Sequence, residues 1–160
     1  AIFETVYGVE EVVSGYAGGT ADDASYDAVS SGTTNHAETV EIYYDPNKVS
    51  YSTLLKIFFD SHDATTLNRQ GPDSGRQYRS AIFYTSDVQK EKAIWSKSNV
   101  ANTYWDDPIV TEITLADVFY PAEDYHQDYY NLNPNQTYCS IVIPPKINKL
   151  KQKFSHLLKP

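Results

Sequence analysis

Leu67-Asn68-Arg69-Gln70-Gly71-Pro72-Asp73-Ser74-Gly75-Arg76-Gln77-Tyr78-Arg79-Ser80-Ala81-Ile82-Phe83-Tyr84 opens as a polar segment punctuated by Gly and Pro. It then runs into small, apolar and aromatic residues. This order of residue types predicts a long loop ending in a buried strand, from about Ser80 to Tyr84. Gly71-Pro72-Asp73 is explained by turn chemistry alone, because Pro holds φ near −65° and Gly admits positive φ. Turn chemistry does not explain three arginines, one aspartate, two glutamines and a tyrosine between positions 69 and 79. Tyr78 and Arg79 stand where the chain must begin to bury side chains. Two readings follow: a connector with surface arginines, or one wall of a site.

Moving outward from this stretch, elements alternate. Upstream, Ala1 to Tyr7 carries a helix-compatible pattern with no cap before it, and Gly8 suits the left-handed position that closes a helix. Glu10 to Tyr16 reads as a strand running into Gly15-Tyr16-Ala17-Gly18-Gly19, where the glycines allow a bend or a close backbone approach. Residues 20 to 35 are small and polar and predict a surface excursion. His36 to Tyr44 alternates as a strand, with Glu38 in phase with Val40 and Ile42. Ser50 is placed to cap a helix whose apolar stripe is Leu54, Leu55, Phe58 and Phe59.

Downstream, Ser86 or Asp87 caps a helix to about Ala101, with Val88, Ala93, Ile94 and Trp95 expected inward. Ile109 to Ile113 reads as a strand and Glu123 to Tyr130 as one short helix. After Pro144-Pro145 the spacing of Ile147, Leu150, Phe154, Leu157 and Leu158 predicts a terminal helix with its lysines outside. Alternating strands and helices indicate a mixed α/β or α+β domain, and 160 residues fit one domain, 1–160, with a core of its own.

Composition excludes some functions. A net charge of −8 opposes binding to phosphate backbones, so no nucleic-acid partner is expected. No run approaches the roughly 18 apolar residues of a membrane span, and no signal peptide is visible. One cysteine cannot form an internal disulfide framework, so a reducing, cytoplasmic compartment is expected. Fourteen tyrosines suit half-wet pockets, because the ring is apolar and its tip bonds hydrogen. His36, His62, His126 and Cys139 lack any close metal-ligand spacing, and no GxSxG elbow is present. Glu38 has two readings. It is either a carboxyl on an apolar face, with a raised pKa and a proton to donate, or a solvated edge-strand glutamate.

Several motifs occur in order along nearly the whole chain. They are Gly8-Val9, Val13-Ser14-Gly15-Tyr16-Ala17-Gly18-Gly19, His36-Ala37-Glu38, and Arg69-Gln70-Gly71 followed by Asp73, Gly75 and Gln77-Tyr78-Arg79-Ser80. Ala122-Glu123-Asp124-Tyr125-His126-Gln127-Asp128-Tyr129, Asn133-Pro134 and Tyr138-Cys139 follow. In these the sequence resembles the A-type peptide methionine sulfoxide reductases.

The resemblance implies an α+β fold of two layers, a mixed sheet with packed helices around a ferredoxin-like core. It implies that a cysteine thiolate attacks the sulfur of methionine sulfoxide, in proteins or free, while the oxygen is protonated and leaves as water. The sulfenic acid then condenses with a second thiol, and thioredoxin or another thiol reduces the disulfide, with no further cofactor. It implies Glu38 as the acid, Tyr26 and Tyr78 as hydrogen-bond donors to the sulfoxide oxygen, and Asp73 as organiser of the nucleophile's surroundings. Cys139 matches the resolving cysteine; beside Ser140-Ile141-Val142-Ile143 a buried, inert thiol is the other reading.

The family's Gly-Cys-Phe-Trp nucleophile motif is not in this sequence and by spacing belongs six residues before Ala1. The chain by itself is therefore expected to be inactive, its natural start upstream. Pro72 stands where the family commonly has asparagine, and Asn35 where glycine is frequent. The alternative is a noncatalytic homologue that binds methionine sulfoxide or a partner.

Overall fold

Alternation in the two segments flanking residues 20–35 builds the first sheet of the computed structural model, which describes residues 1–160. Strand β1 (Val9–Ala17) pairs antiparallel with β2 (Ala37–Tyr44), with Val12 opposite Ile42, Ser14 opposite Val40 and Tyr16 opposite Glu38. Gly8, at φ +94°, takes the left-handed conformation that its place in the sequence suggests. The residues before it form only a short 3-10 turn, Phe3–Thr5, rather than the expected helix. Backbone bonds from Tyr7 N to Leu157 O and from Lys159 N to Thr5 O, each 2.8 Å, hold this segment against the chain's end. Gly15 is required by close approach: a Cβ there would stand 2.3 Å from the Tyr120 carbonyl oxygen.

The excursion contains helix α1 (Tyr26–Ser30), capped by Ser25. Helix α2 (Tyr51–Ser61) begins at Ser50, whose Oγ accepts from Thr53 N at 3.1 Å. It is buried on two sides. Leu54 and Ile57 pack with Val6, Val9, Val49, Leu150 and Phe154, and Leu55 and Phe59 with Ala64, Ile82, Ala93 and Ala101. Ile57, not anticipated in the stripe, is fully buried, whereas Phe58 is only partly buried.

The opening stretch of the sequence becomes a two-stranded hairpin, β3 (Arg69–Gln70) with β4 (Asp73–Ser74), then a 3-10 turn over Arg76–Tyr78 and strand β5 (Ala81–Tyr84). Helix α3 (Asp87–Asn99) is capped by Ser86. Only Ala93 of the four expected inward residues is buried; Val88, Ile94 and Trp95 are exposed. The helix lies against its neighbours through the small residues Ala93 and Ser96, three apart on one face, where bulkier side chains would hold it off.

Strand β6 (Glu112–Leu115) pairs parallel with β5, three residues later than expected. Residues 109–111 serve another purpose: Val110 N bonds Ala64 O at 2.8 Å and Ile109 packs on the second core cluster. Strand β7 (Phe119–Pro121) completes the sheet β2-β1-β7. The fold is α+β, with antiparallel and parallel pairing in separate sheets.

Glu123 to Tyr130 is not one helix. A 3-10 turn, Asp124–His126, is separated from α4 (Tyr129–Leu132) by Asp128 at φ +52°. The cause is Gln127, whose side chain accepts from Ser14 N at 2.9 Å and donates to the Ser14 and Ala122 carbonyls. Helices α5 (Thr137–Ile141) and α6 (Ile143–Phe154) follow. Leu150 and Phe154 of α6 close the first cluster, and Lys153 Nζ lies 2.6 Å from Oδ1 of the buried Asp60 on α2.

This placement separates core from surface aromatics. Phe59→Ala should lower the unfolding free energy by about 3–5 kcal/mol, and Trp95→Ala by less than about 1 kcal/mol, in urea titrations of each variant. A larger loss for Trp95→Ala than for Phe59→Ala would contradict the packing described.

Candidate active site

Because directly opposed residues of an antiparallel pair share a face, Glu38, Val40 and Ile42 lie on the face of Tyr16, Ser14 and Val12. This face begins in the core, where Val12 and Ile42 pack on the first cluster. It opens at Val40, 42% exposed, and closes again at Tyr16, which packs with Val29 and Ala122. Glu38 stands opposite the buried Tyr16. The residue is exposed, yet atoms around the carboxyl remove enough water to raise its pKa above the ordinary 4.5, and the charge of Asp73 adds to the rise.

Asp73 arrives on β4, half-buried after the Gly71-Pro72 turn. Tyr78 ends the following 3-10 turn, with its pKa raised first by burial and then by the charges of Glu38 and Asp73, with Tyr26 also contributing. Arg79 pins this turn from three sides. Its guanidinium donates to Glu112 Oε2 at 2.8 Å, to the Asn35 carbonyl just before β2 at 2.8 Å, and to the Arg76 carbonyl at 2.9 Å. Tyr26, the first residue of α1, is 40% exposed, and its ring lies 4.5 Å from that of His126.

The same electrostatic neighbourhood contains two residues that the sequence reading passed over. Tyr138 on α5 has its pKa raised by burial and by the charges of Asp73 and Glu38. Lys146, in the first turn of α6, is half-buried rather than outside. Its pKa is lowered by burial, and Asp73 opposes the shift. Adjacency to Cys139 was the signal for Tyr138; nothing in helical spacing marks Lys146.

Cys139 is 1% exposed, and it directly follows a residue under the influence of Glu38 and Asp73. His36 and His62 are structural. His36 Nδ1 accepts from Gly19 N at 3.2 Å, and its Nε2 donates to the Thr20 carbonyl at 2.8 Å. His62 bonds the Phe58 carbonyl through Nδ1, and its Nε2 is 2.7 Å from Ser80 Oγ. Burial depresses the His62 pKa to about 4.

Chemically, the arrangement combines a carboxyl that binds its proton more tightly than an ordinary glutamate with two phenols, Tyr78 and Tyr138, whose pKa values are raised. It is equipment for stabilising and protonating an oxygen that gains negative charge.

The fold and this face define a class of small α+β oxidoreductase. The family model described as peptide methionine sulfoxide reductase matches residues 1–158, and the chain belongs to that family. It is 52% identical over 161 residues to the peptide methionine sulfoxide reductase MsrA of Acinetobacter baumannii, covering 99% of this chain and 91% of that protein. It is 52% identical over 159 residues to the MsrA of Chromobacterium violaceum, covering 99% and 90%. Among solved structures it resembles Mxr1 of Saccharomyces cerevisiae in its reduced form, with a TM-score of 0.78 at 36% identity over 82% of this chain and 76% of that one. It also resembles methionine sulfoxide reductase A of Corynebacterium diphtheriae, with a TM-score of 0.71 at 36% identity over 83% and 68%.

The Glu38 shift has a testable sign. A carboxyl whose folded pKa is raised binds its proton more tightly folded than unfolded. Its contribution to stability is complete below pH 4.5 and is lost as pH rises through the folded pKa. In a carboxyl-carbon NMR titration, Glu38 should therefore titrate above 4.5. Asp73→Asn should move the midpoint down without bringing it to 4.5, because burial is the larger cause. A native midpoint at or below 4.5 would remove Glu38 from any role as an acid.

Proposed function

We propose that this protein reduces methionine S-sulfoxide, in oxidised proteins and as the free amino acid, with Glu38 as the acid. The observation that carries this reading is the raised pKa of Glu38 beside Asp73, in a neighbourhood where both charges also act on Tyr78 and Tyr138. A sulfoxide is a strong dipole whose oxygen becomes more basic as its sulfur is attacked. Glu38 donates the proton, and Tyr26 and Tyr78 hold the oxygen by hydrogen bonds.

The electrons come from a thiolate. As its sulfur bonds to the sulfoxide sulfur, the S–O bond breaks and the oxygen, carrying the Glu38 proton and a second proton from solvent, departs as water. Water then adds to the attacking sulfur and gives a proton back to the Glu38 carboxylate, leaving a sulfenic acid on the cysteine and a thioether on the substrate. Two electrons have passed from thiol sulfur to sulfoxide sulfur. We assign Cys139 to the next step, in which its thiol displaces the sulfenic hydroxyl as water and forms a disulfide. A dithiol of the thioredoxin class returns that disulfide to two thiols. The burial of Cys139 is consistent with a thiol that resolves rather than one that meets substrate first.

The 160-residue chain, whose single thiol is Cys139, is therefore expected to show no turnover of methyl sulfoxides with dithiothreitol. Turnover would make Cys139 the attacking thiol and overturn this assignment. In the enzyme carrying the attacking cysteine, Glu38→Gln should slow reduction by about 10²–10⁴-fold with the fold intact. Near-normal rates would exclude Glu38 as the acid. Cys139→Ser should permit one stoichiometric reduction per protein and stop thioredoxin-driven cycling; undiminished cycling would show that another thiol resolves.

A further inference from the structure

Tyr26 has nothing in its own element to hold it. Helix α1 has five residues, too few to be stable alone, and the Tyr26 side chain projects from its first position with 40% of the residue exposed. A donor that must meet a sulfoxide oxygen at hydrogen-bond distance needs its position fixed from outside.

That support comes from one side chain. Glu123 Oε2 accepts from the Tyr26 backbone N–H at 3.3 Å and from the Tyr125 hydroxyl at 3.0 Å. Its Oε1 accepts from the hydroxyl of the buried Tyr16 at 3.2 Å. One carboxylate thus joins β1, the start of α1 and the 122–127 segment. Tyr125 and Tyr26 flank the His126 ring, with centroids 4.2 and 4.5 Å from it. The segment itself cannot drift, because Ala122 N bonds Ser14 O at 2.8 Å and the Gln127 amide clasps the same residue. At the far end of α1, the buried Gln77 donates to the Ser30 carbonyl at 3.3 Å. Burial raises the Glu123 pKa, but the bonds from Tyr125, Tyr26 and Tyr16, with that of its own backbone, outweigh it and leave the pKa lowered. The group is therefore an acceptor at neutral pH.

We propose that Glu123 is the positioning residue for Tyr26, fixing the backbone from which that hydroxyl reaches the sulfoxide oxygen while touching no substrate itself. The inference rests on the reading of Tyr26 as a donor to that oxygen. Glu123 is not among the charges that raise the Glu38 pKa, so its effect is separable from that of the acid.

The test uses the 160-residue chain, dimethyl sulfoxide and dimethyl sulfide as probes, and two readouts. Glu123→Gln is isosteric but loses one acceptor oxygen. Amide hydrogen exchange at Tyr26 should accelerate about tenfold in this variant. NMR titration should show about tenfold weaker binding of the sulfoxide, unchanged binding of the sulfide, and an unchanged Glu38 midpoint. Tyr26→Phe should lose sulfoxide affinity to a similar extent, and the double variant no more than either alone. Glu123→Asp, which restores both acceptor oxygens, should recover part of the exchange protection.

Unaltered exchange in Glu123→Gln overturns the clamp whatever the ligand does. Faster exchange with full sulfoxide affinity, where Tyr26→Phe has lost it, overturns positioning. Full affinity in both variants overturns the reading of Tyr26, and the proposal with it. Additive losses in the double variant would show that Glu123 acts independently of Tyr26 and overturn the proposal equally.

Discussion

The pairing of Tyr16 with Glu38 in the β1–β2 ladder is the constraint from which the site follows. Side chains alternate with a period of two, so a slip of one residue would carry Glu38, Val40 and Ile42 to the other face together. Burial of Val12 and Ile42 against α2 and α6 resists that slip. The acid is therefore held in place by hydrophobic contacts lying four residues away along each strand. Its raised pKa comes first from lost water around the carboxyl and then from the charge of Asp73.

Helix α2 lies at the junction of the molecule. Its two buried sides serve two clusters, one under β1 and β2 and the other under β5 and α3. The β2-β1-β7 and β5-β6 sheets share no strand, so this helix and the three-way grip of Arg79 are what set β2 against the Tyr78 turn. Polar contacts then finish what packing begins. Arg79 fixes Tyr78, Gln127 fixes the 122–127 segment, and Asp60 with Lys153 holds α6, which carries Lys146 toward the site.

Much of this was legible in the residues. The Ser50 and Ser86 caps, the alternation of β2, the position of β5 and the glycine closing the first turn each depend on interactions within a few positions of chain. The family motifs made Glu38, Tyr26, Tyr78, Asp73 and Cys139 candidates. Misreadings arose where distant partners intervened. Trp95 and Ile94 look like core residues by hydrophobicity, but α3 approaches its neighbours through Ala93 and Ser96. The 123–130 segment looks helical until Gln127 finds Ser14, more than a hundred positions away.

By itself, the sequence determined the alternation of elements, the phase of Glu38 with Val40 and Ile42, and the family to which the motifs point. These are local or pattern properties, set by rotamer, capping and period. Only the tertiary structure decided that Glu38 loses water beside Asp73, that Tyr138 and Lys146 belong to the same neighbourhood, and that Tyr26 depends on Glu123. Solvation and charge coupling depend on distance through space. Asp73 meets Glu38 and Lys146, and Glu123 meets Tyr26, only after the chain has closed on itself.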